Sequence, residues 1–207
     1  MSDLFDAGTR TRIARHCAVF PRLDEATSSR LKRAAVAIIV AEADDGRAAL
    51  LLTLRASGLR AHSNQWALPG GRCDEGEMAV AGALREVEEE IGLRLGPNDV
   101  LGMLDDYPTR SGYLITPVIV WAADSFGLSP NPHEVASVHR IALENIMCPD
   151  AFDFITIPES ERRVIRFRHN GDFIHAPTAA MIYQFREVLA GRATRVADLE
   201  QPVFAWK

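Results

Sequence analysis

Glu86, Glu89 and Glu90 stand at i, i+3 and i+4 within the run Gly71 to Leu93, GRCDEGEMAVAGALREVEEEIGL. On a helix of about 3.6 residues per turn these spacings put three carboxylates in one sector about 100° wide. Charged helix faces are ordinarily solvated, but they tend to mix signs, because like charges at these spacings cost about 0.2–0.5 kcal/mol per pair. Here only Arg85 offers relief, and it precedes Glu89, the less favourable orientation. Clustered carboxylates become favourable when they hold hard divalent cations, and Mg²⁺ takes oxygen ligands while keeping waters and substrate phosphates in its shell. The chemistry open to this cluster is metal-assisted work on a phosphate-bearing substrate.

The elements around the cluster are legible from the same run. Val80, Leu84, Val87 and Ile91 fall at i, i+4, i+7 and i+11, one apolar stripe of a helix that packs onto a sheet. Gly92 suits a left-handed C-terminal cap, and Asp74, Glu75 and Glu77 are expected to crowd the entry, where the helix dipole favours anions. Just before the run, Pro69, Gly70 and Gly71 make a tight turn whose missing side chains let backbone approach metal and phosphate closely.

Nine positions, Gly71, Glu77, Arg85, Glu86, Val87, Glu89, Glu90, Gly92 and Leu93, follow the spacing G-x5-E-x7-R-E-U-x-E-E-x-G-U, with U apolar. In this the chain resembles the Nudix hydrolases, metal-dependent enzymes that cut a phosphoanhydride in a nucleoside diphosphate linked to another group. The resemblance implies Glu86, Glu89 and Glu90 as ligands of Mg²⁺ or Mn²⁺, with the carbonyl of Gly70 as a further ligand. Arg85 and Glu77 are expected to orient that cluster, a role compatible with a plain ion pair bracing the loop against the helix.

Upstream, LLTLRASGLRAHSNQWALPGG (51–71) resembles the signature of the coenzyme A diphosphatase branch, L-L-T-x-R-S/A-x3-R-x3-G-x3-F-P-G-G. Leu51, Leu52, Thr53, Arg55, Ala56, Arg60, Pro69, Gly70 and Gly71 match, while Asn64 stands where the pattern has Gly and Leu68 where it has Phe. Further agreement lies in SGYLITPVIV (111–120), NPHEVASV (131–138) and the Pro-Thr-Ala entry to the last helix. Arg55 and Arg60 have a guanidinium fork that suits phosphate oxygens, the alternative being exposed loop arginines. His62 reads as a solvated loop histidine within reach of a substrate. Glu134 is either the group that deprotonates the attacking water, as a downstream glutamate does in several Nudix branches, or a surface loop carboxylate. In the second case Glu89 or Glu86 serves as base. The implied reaction is hydrolysis of coenzyme A or acyl-coenzyme A to 3′,5′-ADP and (acyl-)4′-phosphopantetheine. Its rivals are a Nudix hydrolase of ADP-ribose, a dinucleotide or a nucleoside triphosphate, and a non-catalytic Nudix-fold binding module, which would be expected to have lost box carboxylates.

The 207 residues, 47% of them hydrophobic, suffice for one domain with a full core. A formal net charge of −5 argues against a nucleic-acid backbone binder, and the phosphorylated small-molecule substrate would need bound cations and local arginines. The three cysteines have no zinc spacing and fit a reduced compartment. With no apolar run of membrane-spanning length and no signal-peptide core, the expected location is cytoplasmic and off the membrane. A homodimer is compatible with the sequence, which does not set an oligomeric state.

Alternating signals predict strands at 34–41, 48–55, 100–107, 114–123 and 135–143, with Pro117 expected to put its strand at an edge or bulge. A hairpin is expected at 162–169 and 172–175 around Asn170-Gly171. The last helix carries Thr178, Ile182, Phe185 and Leu189 on one face, with Gly191 as its cap. The reading is an α/β protein, a Nudix-type α/β/α sandwich with a mixed β-sheet. It divides into an N-terminal extension (1–32), in which short helices are expected, a hydrolase domain (33–191) and a C-terminal tail (192–207).

Overall fold

The computed structural model describes residues 3–23, 30–57 and 65–205. Strand β1 (Lys32–Glu42) runs through the middle of an eight-stranded mixed sheet. On one side it pairs in parallel with β7 (Tyr113–Ala122), from Lys32 opposite Tyr113 to Ala41 opposite Ala122. On the other side its C-terminal half pairs antiparallel with β2 (Ala48–Arg55), and its N-terminal half with the short β4 (Gly70–Arg72). Beyond β2 lie β3 (Trp66–Ala67) and β8 (Val135–Ala142), and beyond β7 lie β5 (Val100–Met103) and β6 (Tyr107–Pro108).

The period-2 alternation of β1 divides the core. Ala35, Ala37, Ile39 and Ala41 face Val87 and Ile91 of helix α2 (Ala79–Ile91). Ile38 and Val40 face the opposite cluster, shared by Ile13 of α1 (Ala7–Val19) and Ile182 and Phe185 of α4 (Thr178–Leu189). Helices therefore cover both faces of the mixed sheet, the expected α/β/α sandwich. After β8 come the short α3 (Leu143–Met147) and a second sheet of β9 (Phe152–Ile157), β10 (Ser160–His169) and β11 (Asp172–His175). Phe152, Phe167 and Ile174 of this sheet join the α4 cluster. The hairpin of β10 and β11 turns at Asn170 (φ 50°) and Gly171 (φ 86°), as its Asn-Gly pair predicts.

Pro117 corrects an expectation. Its strand is interior, flanked by β1 and by β5 and β6. A residue's N–H and C=O point to the same side of a strand, and the Pro117 carbonyl accepts the Leu104 N–H at 3.0 Å. The missing donor thus faces the break between β5 and β6, and the ladder to β1 is intact. The same break divides the strand predicted over 100–107. Helix α2 ends on Gly92 at φ 70°, as expected. Its start differs: no acidic residue lies in the first turn, and the N-cap, Met78, makes no side-chain bond. Among the described residues no helix is long and apolar enough to cross a membrane.

Candidate active site

Helix α2 directs Val87 and Ile91 into the core, so its glutamates emerge where the β4 turn meets the sheet. Gly70 sits at φ 152°, and a Cβ there would collide with the Ala35 carbonyl oxygen and the Val36 backbone. Only glycine lets this turn lie against β1. A Cβ on Gly71 would run into the carboxyl group of Glu86, so the second glycine leaves room for that carboxylate.

The three box carboxylates divide between two sets of partners. Arg85 Nη1 donates to Glu86 Oε1 at 2.8 Å and to Glu89 Oε2 at 3.1 Å. Its Nε and Nη2 grip Glu77, both at 3.0 Å, and Nη2 also reaches the Arg72 carbonyl at 3.2 Å. The hydrogen bond from Arg85 holds the Glu77 carboxyl below its ordinary range. Glu77 also accepts the Asp74 N–H at 2.9 Å, so it braces the preceding loop instead of capping the helix.

Glu90 turns the other way. It is buried, and its Oε2 accepts the Gly70 N–H at 3.1 Å while Oε1 lies 3.6 Å from Arg55 Nη1. Burial pushes its carboxyl up to about 7, against the lowering effects of Gly70 and Arg55. Burial likewise raises Glu86, and the charges of Glu89 and Glu134 add to it. Among the described residues no three carboxylate, imidazole or thiol groups converge as a ready metal cage, because Arg85 draws Glu86 and Glu89 to itself and Glu90 bonds to the turn. The donor set nonetheless fits a hard divalent cation: these are oxygen ligands on one helix face, two of them destabilised by burial and mutual repulsion that a cation relieves.

Glu134 reaches the same cleft from a loop that hangs on the end of α2. The Ser129 and Asn131 N–H groups donate to the Ile91 and Glu90 carbonyls, each at 2.9 Å. The Glu134 carbonyl accepts the Ala56 N–H at 2.9 Å, tying the loop to the end of β2. Arg55, Gly70, Glu86, Glu90 and Glu134 all line one cleft of about 730 Å³, within the usual range for small-molecule sites. Among the described residues, Arg55 Nε is buried there without a hydrogen-bond partner. Glu89 is the outlier, half exposed and held at the edge by Arg85. Arg60, His62 and Asn64 lie outside the described residues. Leu68, standing where the branch signature has Phe, is buried beneath the cleft.

Sequence reasoning missed the rest of the wall. Thr109 and Ser111 from the turn before β7, Tyr113 from β7 itself, Phe173 to Thr178 and Met181 from β11 and α4, and Gln201 and Phe204 from the tail complete the cleft. Ser111, Tyr113, Pro177 and Thr178 fall in stretches that resemble the branch, but no motif gave them a place in the site. The tail arrives through Glu200, a buried carboxylate bonded to Arg110 at 2.6 and 3.1 Å and to Ser160 at 2.8 Å.

A model of the NUDIX domain matches residues 31–166, which span β1 to β10 and hold the whole carboxylate cluster. A Photorhabdus laumondii subsp. laumondii protein described as an uncharacterized Nudix hydrolase, NudL, is 32% identical over 141 residues, covering 67% of this chain and 75% of that one. The chloroplastic Nudix hydrolase 22 of Arabidopsis thaliana is 40% identical over 112 residues, 53% of this chain and 37% of the plant protein. Among solved structures, a MutT/nudix family protein from Enterococcus faecalis matches with a TM-score of 0.52 at 15% identity, over 89% of this chain and 72% of that one, a likeness of fold. The glycine turn, the carboxylate helix and these matches agree, and the chain belongs to the Nudix hydrolase family.

Proposed function

We propose that this Nudix hydrolase is a Mg²⁺- or Mn²⁺-dependent diphosphatase of coenzyme A and acyl-coenzyme A, releasing 3′,5′-ADP and 4′-phosphopantetheine or its acyl form. The observation that carries the reading is that the carboxylate face of α2 opens at Gly70 into a cleft containing Arg55, from the LLTLRA stretch, with its Nε buried and unbonded. A buried donor without a partner costs about 1–3 kcal/mol, and a phosphate oxygen would satisfy it.

Glu86, Glu89 and Glu90, with the Gly70 carbonyl, would hold the cation. A divalent ion there would supply charge neutralisation for the anhydride and acidity for the attacking water. Arg85 is a positioning residue, fixing Glu86 and Glu89 on one side and Glu77 on the other. Arg55 binds phosphate and steadies Glu90. Glu134 accepts the proton of the attacking water, whose oxygen bonds to one phosphorus while the bridging P–O bond breaks and the other phosphate leaves.

Arg55→Ala tests the reading. With Arg55 on the diphosphate, kcat/KM for coenzyme A and for dephospho-coenzyme A both fall by about 1.5–3 kcal/mol in transition-state stabilisation. An arginine that reads the 3′-phosphate would instead affect coenzyme A alone. Unchanged kinetics on both substrates would remove Arg55 from the site.

A further inference from the structure

The cleft continues well past the glutamates. Its floor starts at Arg72 on β4, crosses β1 at Ala34 and reaches Ile115 on β7. These three residues stand in register across the sheet, so the floor spans two strand spacings, roughly 10 Å. Charge divides along that path. Among the described lining residues every full charge, on Arg55, Arg72, Glu86, Glu90 and Glu134, comes from β2, β4, α2 or the loop before β8. The far walls, from the turn before β7, the β11 to α4 connection and the tail, bring apolar and neutral polar groups such as Phe173, Ile174, Met181 and Phe204. His175 belongs to this far group, and burial, with Arg166 nearby, lowers its pKa from the usual histidine value. Arg166 itself lies over the Phe173 ring at 4.0 Å, but its guanidinium is committed to Asp153 at 2.6 and 2.8 Å.

We infer that this uncharged limb is a subsite for the extended neutral arm of the substrate, favouring an arm that ends in an aliphatic chain, and that Phe204 of the C-terminal tail is a specificity-determining residue there. The inference rests on the proposed substrate class, a nucleoside diphosphate joined to a long uncharged group. Of the two halves of such a molecule, the phosphorylated nucleoside needs cations, and burying its charge against Phe173, Ile174 and Met181 would be costly. The amide and methylene groups of a pantetheine arm carry no charge and can use the apolar walls.

The tail is held in position to do this. Besides its bonds to Arg110 and Ser160, Glu200 donates its N–H to the Arg163 carbonyl at 2.8 Å, and Tyr107 Oη donates to the Leu199 carbonyl at 2.7 Å. The tail is thus fastened to both sheets just before Gln201 and Phe204 reach the cleft. The Phe204 ring meets His175 edge-on at 5.3 Å yet stays 58% exposed, and Phe173 is 41% exposed, so two aromatic faces open at the mouth of the limb. A ligand chain covering them removes that apolar surface from water.

The test compares coenzyme A with octanoyl-coenzyme A on the wild type and on Phe204→Ala, whose exposed site should leave the fold intact. Wild type is expected to favour the octanoyl thioester by about tenfold in kcat/KM, and Phe204→Ala to lose most of that advantage, about five- to tenfold, against a smaller loss on coenzyme A, whose arm lacks the aliphatic end. Calorimetry with S-octanoyl-4′-phosphopantetheine, which has no nucleotide, reads the limb independently of turnover, and its affinity should fall about tenfold in the variant. An equal loss on both substrates, or no octanoyl preference in the wild type, overturns the inference. Should the enzyme cleave another nucleotide and spare coenzyme A and its thioesters, the proposed substrate is wrong, and failure of the octanoyl probe to bind then overturns the limb as well.

Discussion

At the scale of single residues, the site gathers negative charge and restrains it with two arginines, Arg85 on Glu86 and Glu89 and Arg55 beside Glu90. Glu89 is the most exposed of the three box glutamates and is held by Arg85 at the helix surface. Glu89→Gln is expected to change stability by only about 0.5 kcal/mol, as exposed helix substitutions do. Turnover should fall at least about 10²-fold, since even groups that merely orient metal ligands are worth about 10–100-fold. The rise in melting temperature on adding Mn²⁺ should shrink with it; a variant with wild-type turnover at saturating Mg²⁺ would exclude Glu89 from the mechanism. Glu134 makes a different prediction, because its loop is anchored through backbone bonds that the side chain does not supply. Glu134→Gln should lower kcat by about 10²–10⁴ while leaving Mn²⁺ affinity nearly unchanged. A fall in Mn²⁺ affinity would make it a ligand, and an unchanged kcat would return the base to Glu86 or Glu89.

At the scale of elements, strength of pattern decided what could be read in advance. The α2 stripe and the Asn-Gly hairpin carry their period and their turn chemistry locally, and both formed as expected. Helix α1 falls in the stretch where short helices were expected, but its bounds were not legible, because only Thr9, Ile13 and Cys17 of its thirteen residues are buried. Strand β9 is mostly half-exposed, so FDFITI lacks a clean alternation. Pro117 was misjudged because whether a proline disrupts a sheet depends on which neighbour its missing N–H faces, a tertiary fact. The tail was opaque for the same reason: its anchor is an ion pair between buried Glu200 and half-exposed Arg110, 90 residues apart in the chain. That anchor has a pH signature. Hydrogen bonding from Arg110 holds the Glu200 carboxyl at about 2, below the ordinary 4.5. A folded-state pKa below the unfolded one stabilises the protein above about pH 4.5, and the contribution disappears as pH falls toward 2. Discounted for the half-exposed Arg110, it amounts to about 1–2 kcal/mol. Glu200→Gln should therefore unfold more easily than wild type at pH 7, and melting curves of the two should converge between pH 4.5 and 2. Parallel curves across that range would show that the ion pair contributes nothing to stability.

For the whole molecule, the mixed sheet sets one end of a cleft among charges and the other among neutral walls contributed by the second sheet, α4 and the tail. The carboxylate cluster was legible because its residues lie close together in sequence, within a single turn and helix, whereas Arg55 and Glu134 join it from β2 and the loop before β8. The far end of the cleft was less so, because it is assembled from three separate stretches between residues 109 and 204. A net charge of −5 makes the arginines inside the cleft the local attraction for an anionic substrate. The most direct measurement is a panel of coenzyme A, ADP-ribose, NADH and nucleoside triphosphates at equal concentration with Mn²⁺, the products identified by mass spectrometry. Coenzyme A is expected to show the highest kcat/KM, with 3′,5′-ADP and 4′-phosphopantetheine as the products. Survival of coenzyme A at enzyme and Mn²⁺ concentrations that cleave another member of the panel would contradict this expectation.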